Sequence, residues 1–321
     1  MLKRLLPDPF ILALLGTLAF ATMCPARGWA ALSVSWLSTV AIVLLFFFHG
    51  AKLSGQAVLD GVRHWRLHVV ILAITFVVFP LIVLPISLAW PALLSSTLWT
   101  GVLFLAALPS TVQSAIAFTS IAQGNVPAAI ASASASQILG VFLTAPLLAL
   151  LAGVGGHDIS LASVGGIILM ILAPFLLGHL ARPWIGDWVA RHKIVIASSD
   201  RATILIAVYS AFSAAVVNGI WHRLPVPLLL KLLAICIGLL LIALAVSYAL
   251  GHLLGFRRED RIAILFCGTK KSLVQGVPMA RVLFPGPDLG LILLPIMLFH
   301  QVQLMACASI ARRYAKDDNH E

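Results

Sequence analysis

The chain alternates long apolar stretches with short clusters of charged residues, Pro and Gly. Residues 67–90 and 232–250 contain no Asp, Glu, Lys or Arg, and each is close to the length of about 20 residues with which a helix crosses a bilayer core. A membrane-spanning strand would instead show segments of about ten residues with alternating polarity. These runs are apolar on every side, so they predict helices. With charges, Pro and Gly as punctuation, spans are expected at 10–24, 32–49, 67–90, 98–108 continuing to 122, and 126–151. After the break Gly155-Gly156-His157-Asp158, further spans are expected at 164–180, 202–220, 228–254, 262–268 continuing to 284, and 289–310. The pattern is two groups of five, residues 1–156 and 157–321, and the fourth span of each group is interrupted. An odd number of spans per group makes the second copy inverted. Interrupted helices at matching places in two inverted halves point to a transport site, because unwound backbone at membrane depth is tolerated where it lines a cavity.

Composition agrees. Of 321 residues, 61% are hydrophobic and 10% charged, with a mean hydropathy of +1.07, against about 25% charged in a soluble domain. The net charge of +10 would suit nucleic acid, but its placement reads as topology and no nucleic-acid partner is expected. With the N-terminus in the cytoplasm, 15 of the 21 Lys and Arg fall on cytoplasmic segments, and only Arg27, Arg223, Lys231 and Arg281 fall on the other side. The positive-inside rule then predicts a multi-pass protein of the inner membrane with both termini cytoplasmic. Lys3 and Arg4 before the run from Phe10 resemble a signal peptide, but no small-residue cleavage site closes that run, so a retained first helix is expected. Cys24, Cys236, Cys267 and Cys307 are scattered, which predicts neither a disulfide framework nor a zinc site.

The first interruption contains Pro109, Ser110, Thr111, Gln113 and Ser114, followed by Gln123-Gly124-Asn125 and a serine ladder at Ser132, Ser134 and Ser136. Pro109 removes a backbone donor. Freed carbonyls, with the hydroxyls of Ser110, Thr111 and Ser114 and the Gln113 amide, are candidates to hold a cation or a polar substrate group. The serine ladder is expected to serve helix packing. The second interruption contains Cys267-Gly268-Thr269-Lys270-Lys271-Ser272, with Gln275 shortly after. The apolar run 262–266 is too short to cross a bilayer alone, so both lysines lie inside the membrane segment. An ionisable group there costs at least about 2.5–3.5 kcal/mol and marks function by default. Gln301, His300 and Gln303 in the last span are further polar candidates: Gln301 or His300 would either face this region or make a hydrogen bond between helices.

Phe266-Cys267-Gly268-Thr269-Lys270-Lys271-Ser272-Leu273 with Gly276-Val277-Pro278-Met279 resembles the bile acid:sodium symporter superfamily, in particular the branch of its seventh mammalian member and bacterial relatives. The resemblance implies an all-α membrane protein of ten helices in two inverted five-helix repeats. Helices 1, 2, 6 and 7 would form a panel domain, and helices 3–5 and 8–10 a core domain in which broken helices 4 and 9 cross beside the substrate. It implies alternating access by movement of core against panel. One departure concerns sodium. The sodium-coupled members use a carboxylate in helix 9, whereas all 11 acidic residues here fall in loops or at span ends. A sodium site would rest on the neutral oxygens of Ser110, Thr111, Gln113, Ser114, Thr269 and Ser272 beside a lysine ammonium. The repulsion, several kcal/mol at low effective dielectric, argues against sodium coupling.

The expected function is therefore secondary transport of a small organic anion, with Lys270 or Lys271 replacing a coupling cation or attracting the anion. No cofactor is expected beyond Na+ or H+ as coupling ion, and no metal. The alternative is a non-transporting membrane regulator of ion homeostasis. A serine–lysine hydrolase built on Ser272 and Lys271 is disfavoured, since adjacent helical residues point about 100° apart and no G-x-S-x-G elbow occurs.

Overall fold

A computed structural model describes residues 9–52, 64–154 and 161–317, which are helical almost throughout and contain no strand. The helices are α1 (Pro9–Met23), α2 (Gly28–Lys52), α3 (Trp65–Ala73), α4 (Phe79–Ala89), α5 (Ser96–Ala107), α6 (Gln113–Ile121), α7 (Val126–Val154), α8 (Leu161–Arg191), α9 (Lys193–Val217), the short α10 (Ile220–Arg223), α11 (Val226–Leu253), α12 (Arg258–Gly268), α13 (Leu273–Leu283) and α14 (Leu289–Asp317). A five-residue π turn, Ile74–Val78, joins α3 to α4. The charges Lys3, Arg4 and Arg63 and the break at Gly155–Asp158, where the two repeats are expected to meet, lie outside the described residues.

Six helical stretches are long and apolar enough to cross a membrane: Gly28–Lys52, Trp65–Ala89, Val126–Gly153, Ile194–Val217, Val226–Leu253 and Leu289–Ala315. They carry outward apolar side chains, among them Trp36, Leu81, Leu150, Leu230 and Leu241. Large exposed apolar surface of this kind requires a nonaqueous surround. Two expected spans are each divided: α5 stops at Ala107 and α6 starts at Gln113, while α12 stops at Gly268 and α13 starts at Leu273. One expectation differs. Residues 181–201 read as a charged loop, yet α8 runs on to Arg191 and α9 starts at Lys193. Arg182, Trp184, Asp187 and Arg191 are compatible with a helix whose end projects beyond the apolar layer, and Pro183 does not end it.

The chain folds into two compact units. The first comprises Met1–Leu53, Gly166–Pro225 and Val277–Leu293. Here α9 packs on both α1 and α2, and α2 and α8 touch through backbone. A methyl group at Gly50 would collide with the Phe175 carbonyl, and one at Gly178 with the Phe47 carbonyl. Ion pairs Lys52–Asp200 (3.0 Å) and Arg223–Asp288 (2.5 Å) close the helix ends. The second unit comprises Ser54–Gly165, Val226–Gly276 and Leu294–Glu321. Its centre is α5 and α12, whose residues 98–99, 101–107 and 262–268 are all buried. Asn125 ties the starts of two helices together: its Oδ1 accepts from the Ala128 N–H and caps α7, while its Nδ2 donates to Asp260 at the start of α12 (2.7 Å).

Close backbone contact makes Gly178 intolerant of a side chain. Gly178→Ala is expected to destabilise by about 1–3 kcal/mol through overpacking. Gly238→Ala, where nothing lies within 4 Å, is expected to be neutral or stabilising by up to about 1 kcal/mol. Thermal unfolding of the two purified variants checks the contrast, and equal effects would refute it.

Candidate functional site at two broken helices

The first break begins where Pro109 withholds a donor from α5. Four successive carbonyls, those of Ala106, Ala107, Leu108 and Pro109, lose their usual helical partners, and each accepts a bond from elsewhere. Thr144 Oγ1 donates to Ala107 (3.1 Å), the Ser272 N–H donates to Pro109 (2.8 Å), and the other two receive the same ammonium, described below. The Ser110 N–H, which would have closed on Ala106, donates instead to Ser136 Oγ (3.0 Å). Ser110 Oγ then donates to the Cys267 carbonyl (2.5 Å) at the end of α12. The two breaks are thus bonded to each other in both directions, Ser110 to Cys267 and Ser272 to Pro109.

The second break is held from α14. Gln303 Oε1 accepts from the Lys271 N–H (2.9 Å) and its Nε2 donates to the Lys271 carbonyl (3.0 Å), so one side-chain amide satisfies both backbone groups of an unwound residue. Thr269 Oγ1 donates to the Leu265 carbonyl (2.6 Å), and Ser272 Oγ accepts from the Gln275 N–H (3.3 Å). Gly276 sits where a side chain would meet Ile296 and Leu108, which gives the glycine of Gly276-Val277-Pro278-Met279 a packing reason.

Lys271 is fully buried. Its ammonium donates to the carbonyls of Thr75 (2.7 Å), Ala106 (2.8 Å) and Leu108 (2.8 Å), and the Phe79 ring lies 4.1 Å away. An ammonium has three donors, so all are used. The third acceptor has a local cause. In the π turn the Phe79 N–H bonds to the Ile74 carbonyl, and the next residue that could serve Thr75 is Pro80, which has no N–H. The Thr75 carbonyl is therefore left over, as are those of Ala106 and Leu108. One lysine charge is thus surrounded by three backbone carbonyls. The residues here do not fit a sodium ion: the freed carbonyls are taken by the ammonium, Thr144 and Ser272, and the hydroxyls of Ser110 and Thr269 are spent on different carbonyls. Thr111 and Ser114 bond to each other (2.7 Å), and Gln113 is exposed.

Lys270 is equally buried, but its ammonium has no hydrogen-bond partner. The Phe118 ring lies 4.2 Å away, and the thiols of Cys307 and Cys267 lie beside it. Gln275 Nε2 donates to the Gln137 carbonyl (3.1 Å), while its Oε1 is buried and unpaired. Gln301 keeps a buried, unpaired Nε2 and makes no hydrogen bond to the broken helices. The structure therefore brings together Ser110, Lys271 and Ser272, with Thr269 and Lys270 on the same turn. Thr75, Phe79, Ser136 and Gln303 belong to the same cluster. Of these, Gln303 and Ser136 were visible as polar residues in apolar helices. Ser136 and Ser132, the latter bonded to His68 Nδ1 (2.6 Å), make specific bonds as well as close packing.

A family model for SBF-like CPA transporters matches residues 8–316. The chain belongs to the SBF-like CPA transporter family. Similar members include an uncharacterised protein of Pseudomonas aeruginosa, 51% identical over 98% of this chain and 94% of that protein. YfeH of Escherichia coli (strain K12), named as a candidate symporter, is 50% identical over 96% of this chain and 93% of its own. Sodium/bile acid cotransporter 7 of Rattus norvegicus is 26% identical over 84% and 80%. Together with its apolar helices, this makes the SBF-like chain a multi-pass membrane protein of a transporter family.

The two lysines of this SBF-like site differ in what their removal leaves behind. Lys271→Met strands three buried carbonyls, each worth about 1–3 kcal/mol when unmade, so a loss of about 3 kcal/mol or more is expected. Lys270→Met removes a buried charge that no carbonyl or carboxylate satisfies and is expected to leave stability unchanged or raise it. Gln303→Leu strands both groups of the Lys271 peptide and is expected to cost about 2 kcal/mol. Thermal unfolding in detergent checks all three, and equal losses for the two lysine variants would refute the carbonyl cage.

Proposed function

We propose that the protein is a secondary active transporter that moves a small organic anion across the inner membrane by alternating access, without sodium, with Lys271 in place of a coupling cation. The observation that carries this reading is the ammonium held by three carbonyls at the paired helix breaks. It supports a site that keeps the charge and geometry of a cation-bound state with no ion to load. Lys270, buried beside it and unbonded, is the group available to bind and release a proton, and so to couple transport to pH. Ser110, Thr111, Ser114, Thr269, Ser272 and Gln275 supply polar groups around the breaks, and Gln113 and Gln301 are candidate substrate contacts.

Ten crossings in two inverted five-helix repeats are the topology we propose. The six long apolar helices are joined by α1, α8 and the divided pairs α5–α6 and α12–α13. The compact units support a panel and a core: the first holds α1, α2, α9 and most of α8, and the second holds most of the remaining helices. The chain passes from one to the other beside Pro278 and beside Pro295, where a missing backbone bond softens a helix. Both termini are taken to be cytoplasmic on the charge distribution. The names of the relatives support transport over the reading as a regulator of ion homeostasis.

Purified protein in liposomes tests the proposal with a panel of labelled organic anions. Uptake is expected to persist when choline replaces sodium. A pH gradient is expected to stimulate wild type and not Lys270→Met. Uptake that requires a sodium gradient, or no uptake of any anion, would refute it.

A further inference from the structure

The first compact unit contains a cavity of about 640 Å³ that is made of its own residues only. That volume lies within the range of small-molecule sites, about 300–1,000 Å³. Most of the wall is apolar, from Ala31, Leu32, Val34, Ile42, Val43 and Ala214 among others. The polar part is one cluster. Arg281, on α13, donates from Nη1 to Ser210 Oγ (2.9 Å) and from Nη2 to Ser35 Oγ (2.8 Å) and the Ser35 carbonyl (3.2 Å). Thr39 Oγ1 donates to the same carbonyl (3.0 Å). Ser35 and Thr39 stand four apart on α2, and Ser210 and Ser213 three apart on α9, so each pair shares a helix face.

Two features of this cluster are unexplained by packing. Every acceptor that Arg281 uses is neutral, and no carboxylate pairs with it among the described residues. Asp288, seven residues on, is engaged by Arg223. A partly buried guanidinium without a counter-ion is costly, and two of its five N–H donors remain after the three bonds above. Independently, Ser213 lines the same cavity, is 2% exposed, and its Oγ has no partner. A charge held in orientation but not neutralised, an unused hydroxyl and an apolar wall thus line one cavity.

We propose that this cavity is an oxyanion-binding site in which Arg281 receives one carboxylate, sulfonate or phosphodiester group carried on an apolar body. The two remaining guanidinium N–H groups accept its oxygens, Ser213 Oγ supplies a further donor, and the wall formed by α2 and α9 takes the apolar part. The cavity provides one cation and no second, so a singly charged head is preferred over a dianion.

Equilibrium binding to the delipidated full-length protein tests this, with cyclohexanecarboxylate, benzenesulfonate and neutral cyclohexanecarboxamide as soluble probes. Phosphatidylglycerol in phosphatidylcholine micelles serves as the lipid probe. At least one anionic probe is expected to bind saturably and the carboxamide not. Arg281→Gln is expected to weaken binding by about tenfold to a hundredfold, the worth of hydrogen bonds to a charged group. Ala31→Leu, which fills the cavity and keeps Arg281, is expected to abolish binding even if Arg281→Gln does not fold. Lys231→Gln, which removes an exposed charge, is expected to leave it intact. Binding of the soluble acids identifies a water-soluble organic anion, and binding of phosphatidylglycerol alone identifies a lipid. The proposal is overturned if no anionic probe binds, if binding survives Ala31→Leu, or if it is lost in Lys270→Met and kept in Arg281→Gln. No gradient is involved, so this result and the transport result stand or fall separately.

Discussion

A lysine ammonium brings three donors out of water, and at Lys271 their satisfaction ties together three segments of the second unit. Backbone carbonyls can serve only where a helix has released them, since an intact helix uses its own. Lys271 therefore needs breaks, and the chain supplies two of different kinds. Pro109 ends α5 and releases the Ala106 and Leu108 carbonyls, while the π turn at Ile74–Val78 followed by Pro80 releases that of Thr75. Neither break would be tolerable in a bilayer on its own, because an unpaired carbonyl in hydrocarbon costs several kcal/mol. Neither would the lysine. Each makes the other affordable, which is why α3, α5 and the α12–α13 break must fold together.

The same logic explains why the two lysines are not equivalent. The peptide of Lys271 is clamped by Gln303 and its side chain by the carbonyls, so both its backbone and its charge are fixed. One residue earlier in the chain, Lys270 meets an aromatic face and two thiols. Cation–π contact contributes about 0.5–2 kcal/mol, well short of what three charge-assisted bonds supply. The pair thus divides into one charge with three carbonyl acceptors and one with none.

Much of this was legible in the sequence. Long apolar runs gave the helices, and Pro109 and the Gly268–Ser272 stretch marked both breaks, since a five-residue apolar run cannot cross a membrane. What could not be read was the set of partners. The acceptors of Lys271 are backbone oxygens, which carry no residue signature. Pro80 was visible, but a proline inside a span reads as an ordinary kink, and the π register depends on three-dimensional packing. Gln303 stood out as polar without a stated partner, because its target lies 32 residues away. Arg281 was counted only as a charge on the non-cytoplasmic side, and only the fold turns it towards Ser35 and Ser210. The extension of α8 was missed for the opposite reason: charged residues mark the end of an apolar layer, and a helix can continue past it.

A tethered cation changes the energetics of a transport cycle. A coupling ion that binds from one side and leaves to the other contributes its gradient, about 2.3 kcal/mol per charge for each 100 mV of membrane potential. In the proposed cycle, an ammonium fixed to α12–α13 by its own backbone never leaves, so it would contribute the electrostatics of the ion-bound state and none of the gradient. The occupied geometry is then permanent rather than ion-dependent, and the step that ion release would normally gate needs another control. Among the described residues, the cations that face the breaks or the cavity without a carboxylate partner include Lys270 and Arg281. A proton on the first and an anion on the second are the species whose arrival changes the local charge balance. A cycle driven by substrate or proton, with the cation site built into the chain, is what these residues support.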